Sequence, residues 1–103
     1  MKVRLVDHAE SDLLAGFRFY EQQSAIAGFY FLNTLYAELR TLSVNGGIHP
    51  RKLDHFCKVS RKFPYVIYYS IEGDDLTVLR ILDGRRDPDL IFRLLNPPLD
   101  FIP

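Results

Sequence analysis

Two apolar runs separated by a short turn constrain this chain more than anything else in it. Tyr65 to Ile71 is an unbroken series of aromatic and β-branched residues, with Ser70 its one polar member. Such side chains suit a pleated, half-buried surface. Glu72-Gly73-Asp74-Asp75 follows, a cluster whose Gly and Asp residues tolerate the backbone angles of a hairpin turn. Leu76 to Leu82 is a second apolar run, broken by Thr77 and Arg80, and Asp83-Gly84-Arg85-Arg86-Asp87-Pro88 ends it with two cations. A two-stranded hairpin is marginal in water, so the remaining residues must supply a partner layer.

The upstream residues are patterned to supply it. Lys2 to Val6 alternate charged and apolar side chains, the period of a short strand with one buried face. Asp7 and Glu10 have the spacing of a capping box, which places a first helix over His8 to Gln22. Leu13, Leu14, Phe17 and Tyr20 form its buried stripe, and Gly16 within it suggests a close helix crossing. Ser24 is the expected N-cap of a second helix, whose apolar positions run from Ile26 to Leu42 and stop at Asn45-Gly46-Gly47. So short a connection makes the two helices an antiparallel hairpin.

Ile48 to Asp54 reads as a loop, and Phe56 to Ser60 as a strand with Cys57 and Val59 on one side and Lys58 on the other. Asp89 to Leu95 are expected to form a short C-terminal helical turn ended by Asn96-Pro97-Pro98, with Leu99 to Pro103 an apolar tail that docks on another surface. The order is β-α-α-β-β-β. The expected fold is a single α+β domain over residues 1–103: one mostly antiparallel sheet, a helical hairpin on one face and the other face open.

Bulk properties exclude several classes. The 103 residues carry 13 basic and 13 acidic side chains, so no global positive field announces a nucleic-acid binder. The balance is locally uneven: Arg51, Lys52, Lys58, Arg61 and Lys62 stand against Asp54 alone. No apolar run reaches the length of a membrane span, and no apolar segment of a secretory leader follows Met1-Lys2-Val3-Arg4. One cysteine, Cys57, allows no internal disulfide, in keeping with a cytoplasmic protein. His8, His49 and His55 are dispersed without metal-ligand spacing and are expected at the surface or at caps. No phosphate-binding glycine loop or nucleophile elbow is present, so no metal or cofactor is expected.

The remaining candidates are basic. Strict alternation in the last strand sends Leu79 and Ile81 to the core and Val78, Arg80 and Leu82 to the other side. Lys58 and Arg80 then share the open sheet face, with Arg61, Lys62, Arg85 and Arg86 at the strand ends beside it. Such a cluster suits phosphate, because Arg presents a planar fork of donors and Lys a compact charge. Tyr68 or Tyr69 would stack on a base or donate a hydroxyl. The competing reading is that these charges keep an exposed sheet face solvated, and that Asp83 or Asp87 pairs with an arginine of the turn.

Asp12-Leu13 through Phe19-Tyr20-Glu21, Phe31-Leu32, Lys62-Phe63-Pro64-Tyr65-Val66-Ile67-Tyr68-Tyr69, Val78-Leu79-Arg80-Ile81-Leu82 and Arg85-Arg86-Asp87-Pro88 together resemble the RelE/ParE family of type II toxins. The likeness spans nearly the whole chain and includes the element order. It implies a bacterial toxin that inhibits growth unless a cognate antitoxin protein neutralises it. In the RelE branch such a toxin is a metal-independent, ribosome-dependent mRNA endoribonuclease; in the ParE branch it is a non-enzymatic inhibitor of DNA gyrase.

Carried over position by position, the resemblance implies catalytic roles for Lys58, Arg61 and Arg80 if the chain follows the RelE branch. Lys58 would hold charge near the attacking 2′-hydroxyl, and the arginines would stabilise the pentavalent transition state. Lys62, Tyr68, Arg85 and Arg86 are the corresponding candidates for target or antitoxin binding. Asp83 stands where many relatives have His, and no Tyr or His follows Arg86 where RelE nucleases carry a catalytic side chain. The Arg-Arg-Asp-Pro ending is closer to ParE-like, plasmid-stabilisation members. The expected function is therefore a ParE-like, gyrase-directed toxin, with the endoribonuclease and a degenerate non-toxic member as alternatives.

Overall fold

The computed structural model describes residues 1–96, so the expected docking of Leu99 to Pro103 lies outside the described residues. The chain runs β1 (Lys2–Leu5), α1 (Asp7–Glu21), α2 (Ala25–Asn45), β2 (Arg51–Lys52), β3 (His55–Val59), β4 (Tyr65–Glu72), β5 (Asp75–Asp83) and α3 (Pro88–Leu95). The five strands form one sheet in the order β1-β5-β4-β3-β2. β1 pairs parallel to β5 and the other pairs are antiparallel. The α1–α2 hairpin is the crossover that the parallel pair requires. The α+β class, the helical hairpin and the short C-terminal helix are as expected from the sequence.

Local signals account for most boundaries. Ser24 caps α2, its hydroxyl accepting from the Ala27 amide at 3.0 Å. Asp87 caps α3 by accepting from Asp89 N–H at 3.0 Å, with Pro88 in the first turn where its missing N–H costs nothing. Asp7 is not a cap. Val6 holds the N-cap position of α1 without a side-chain bond, and Asp7 and Glu10 sit in the first turn, where their charge complements the helix dipole. The stretch read as a loop contains β2, joined to β3 by a two-residue turn. Leu53 and Asp54 both take positive φ there (54° and 66°), the sign pattern of a type I′ hairpin.

The main core lies between the helical hairpin and the sheet. Leu13, Phe31, Leu35, Leu39 and Leu42 pack on Ile67, Tyr69, Leu76, Val78 and Ile81. Gly16 marks the close approach of α1 to α2: a Cβ there would lie 2.7 Å from Cε2 of Phe31. A second cluster occupies the opposite sheet face, where Ile91 and Leu95 of α3 cover Cys57, Tyr68 and Leu82. That face is therefore not open as expected; α3 closes part of it.

Two face assignments also differ. In β5, Val78 and Ile81 both point to the hairpin side, which strict alternation forbids. A bulge resolves this: Tyr68 pairs with Arg80 but Tyr69 pairs with Val78, leaving Leu79 as the extra residue. In β3 the apolar side, Cys57, faces α3, while Phe56 stacks on Tyr69 on the hairpin side, at 5.1 Å between ring centroids. Lys58 therefore points toward α2 and Arg80 toward α3. They lie on opposite faces of the sheet.

Candidate functional site

Arg80, Lys62 and Arg85 each engage a different side chain, and Lys58, Arg61 and Arg86 line clefts. Arg80 is the most constrained. Its Nε and Nη2 donate to the two carboxylate oxygens of Asp12 at 2.7 and 2.8 Å, and the Ile81 amide donates to Oδ2 of the same carboxylate at 3.0 Å. The contact exists because β1 pairs with β5 only as far as Val78, which leaves the backbone edge at Ile81 to the side of α1. Both side chains are nearly buried, at 15% and 11% exposure. The Asp12 hydrogen bonds raise the Arg80 pKa against the opposing effect of desolvation, so the guanidinium stays charged.

Lys58 and Arg61 line a cleft of about 310 Å³ against Ala37, Glu38, Thr41 and Asn45 of α2. The Arg61 amide donates to Oε1 of Glu38 at 2.9 Å, fixing the strand's exit to the helix. Lys62 places its ammonium 5.3 Å from the ring centroid of Tyr30, a cation–π contact at the α2 surface. Lys62 lines a second cleft with Tyr30 and Asn33, and Arg61 borders both clefts along α2.

The turn after β5 carries the last two. Arg85 donates from Nε and Nη2 to Asp83 at 3.0 and 2.8 Å, and its own amide donates to Oδ1 at 2.9 Å. These bonds hold the Asp83 carboxyl below the usual carboxylate range. Arg86 lines a cleft of about 290 Å³ with Asp12, Phe19, Tyr65 and Asp83, where α1 meets the end of the sheet. The tyrosines proposed for stacking are unavailable. Tyr68 is buried beneath α3, and Tyr69 is fully buried with its hydroxyl accepting from Gly47 N–H at 2.9 Å and bonded to Nδ1 of His49. Burial raises the pKa of both phenols.

The arrangement puts Lys58 and Arg80 on opposite faces of the sheet, while Arg61 and Lys62 leave β3 at the same sheet end at which Arg85 and Arg86 follow β5, where Tyr65 pairs with Asp83. His8 is exposed in the first turn of α1 as expected, but two histidines differ: His49 is tied to Tyr69, and the ring nitrogens of His55 are buried without a partner. Burial lowers both imidazole pKa values. Among the described residues, no three His, Cys, Asp or Glu side chains are grouped to hold a metal ion. No described helix is long and apolar enough to cross a membrane. Sequence reasoning missed Asp12 and Glu38, the two carboxylates that fix Arg80 and Arg61. The one available signal was an acid bordering an otherwise apolar helix stripe, which also describes a solvated residue.

Comparison with known proteins gives a family match and a fold match. Residues 3–88 match the family model described as the ParE toxin of type II toxin-antitoxin system, parDE. Among solved structures, the chromosomal ParDE TA system from P. aeruginosa is similar in fold, with a TM-score of 0.69 at 16% identity over 79% of this chain and 92% of that chain. No match is found among curated proteins.

Proposed function

The chain belongs to the ParE toxin family of type II toxin–antitoxin systems, and from that membership we propose that it arrests growth by binding DNA gyrase rather than by cutting RNA. It acts as a single domain in the bacterial cytoplasm and is held inactive by its antitoxin. The observation that carries this reading is the Arg80–Asp12 pair. A guanidinium already bidentate to a buried carboxylate has few donors left for a transition-state phosphate, and Lys58 and Arg61 face the other side of the sheet. The basic residues that an RNA-cutting site would need do not converge. Exposed Arg86, and Arg85 at 68% side-chain exposure, remain for contact with the target at the α1-side end of the sheet.

The test is a gyrase supercoiling assay with purified protein, paired with expression in the absence of any antitoxin. Inhibited supercoiling and filamentous, DNA-damage-signalling cells are the expected result. Normal supercoiling at excess protein overturns the proposal, and mRNA cut at ribosomal A-site codons would assign the toxin to the ribosome instead.

A further inference from the structure

We infer that the cleft where α1 meets the end of the sheet seats an acidic side chain with an aromatic or aliphatic neighbour, presented by the target protein. The identity of the target rests on the gyrase-directed reading above; the class of ligand rests on the residues of the cleft.

The cleft spans about 290 Å³. That is at the lower end of pockets that hold small molecules, and it suits one or two side chains better than a nucleotide. Its polar lining is Asp12, Tyr65, Asp83 and Arg86. The two carboxylates are already engaged: Asp12 accepts from Arg80 on both oxygens, and Asp83 accepts from Arg85 on both. Each acid is thus neutralised by an arginine of its own. Arg86 has no carboxylate within ion-pair distance among the described residues, so the cleft keeps one positive charge. A single charge matches a carboxylate, whereas the two engaged acids would repel the second charge of a phosphate dianion.

The Tyr65 hydroxyl supplies a second contact. Its ring is packed beside Tyr20 and Phe31, yet its oxygen has no hydrogen-bond partner among the described residues and is not sealed from solvent. Burial raises the pKa of this phenol, so it keeps its proton and donates; Arg86 lies close enough to oppose that shift through its charge. An arginine fork and a phenol donor lining one cleft complement a carboxylate. Ala15, Gly16, Phe19, Ile81 and Leu82 complete the lining. The two small residues leave room beside α1, and Phe19 is 53% exposed, its ring held edge-on against Tyr20 at 5.1 Å between centroids. Aromatic side chains and arginine are the types concentrated where proteins meet.

The blocked tetrapeptide alanine-aspartate-phenylalanine-alanine and its asparagine analogue test the ligand class by NMR titration of the full-length protein. The aspartate peptide is expected to shift the Arg86 Nε and Tyr65 ring resonances, and the asparagine peptide to bind about tenfold more weakly. Equal binding of the two, or shifts confined to other residues, overturns the inference. Tyr65→Phe keeps the ring and removes only the hydroxyl. It should leave the melting temperature unchanged and weaken both peptide binding and inhibition of supercoiling by about tenfold. A Tyr65→Phe protein that inhibits supercoiling like the wild type overturns the cleft while the gyrase reading stands. Wild-type protein that binds the aspartate peptide at Tyr65 but leaves supercoiling normal upholds the ligand class and defeats that reading. Tighter peptide binding by Asp100→Asn would make the chain's own Asp100-Phe101 the occupant and overturn the assignment to a target protein.

Discussion

Arg80 on β5 and Asp12 on α1, 68 residues apart, form a two-point ion pair that locks the first helix to the last strand. The same carboxylate caps the Ile81 amide, so one side chain satisfies both a buried cation and an orphan backbone donor. Removing half of such a unit is far more costly than its net contribution, because the remaining charge has no water to turn to.

Asp12→Ala is therefore expected to destabilise the protein by about 3–5 kcal/mol, since it strands Arg80 and the Ile81 amide together. Urea unfolding followed by circular dichroism measures this. The double variant Asp12→Ala with Arg80→Met should recover part of the loss, and a loss equal to the sum of the single changes would contradict the coupling.

Gly16→Ala sets two effects against each other. Alanine favours the helix by about 1 kcal/mol. Its Cβ, however, meets the Phe31 ring, and overpacking of this kind costs about 1–3 kcal/mol. The expected outcome is a lower melting temperature despite the better helix former.

Tyr69→Phe removes a buried hydroxyl that satisfies the Gly47 amide and His49. The α2–β2 connection loses its anchor on β4, and the unpaired amide should lower stability by about 1–3 kcal/mol. Faster hydrogen exchange at Gly47 would accompany it.

Stability should fall as the solution is acidified through the histidine range. Burial depresses the folded-state pKa of His49 and His55, so the unfolded chain binds protons more readily. Their contribution is complete above the unfolded value of about 6.5 and is lost as pH falls through the lower folded values. Melting temperatures between pH 7.5 and 5.5, compared with His55→Phe, should show a shallower slope in the variant.

Lys58→Ala should leave growth arrest by the unneutralised toxin intact, because Lys58 points into the α2 groove and not toward Arg85 and Arg86. Arg86→Glu, in the turn after β5, should reduce inhibition of supercoiling by about tenfold or more. Titrated supercoiling assays with both variants check the separation.

Much of this architecture was legible in the chain. The β4–β5 hairpin, the two helices, the Ser24 cap and the order of elements follow from period, turn chemistry and capping, all of which act between near neighbours. The competing reading of the Arg-Arg-Asp-Pro stretch, a post-strand turn with Asp83 or Asp87 pairing an arginine, holds for Asp83 with Arg85, whereas Asp87 caps α3. The candidate site was less legible. Phosphate-binding potential was read from Lys58 and Arg80 together, and that reading depended on which way each side chain pointed.

What the sequence determined by itself is every described element except β2, their order and the family to which they belong, because local free energies of helix, turn and strand are written in adjacent residues. The tertiary structure alone decided the faces. A single bulge at Leu79 let Val78 and Ile81 enter the same core, and no local signal distinguishes a bulged strand from a regular one. β3 turned its cysteine toward α3 because a second apolar helix was there to cover it. Arg80 became a structural cation because a carboxylate 68 residues away reached the edge that β1 leaves bare.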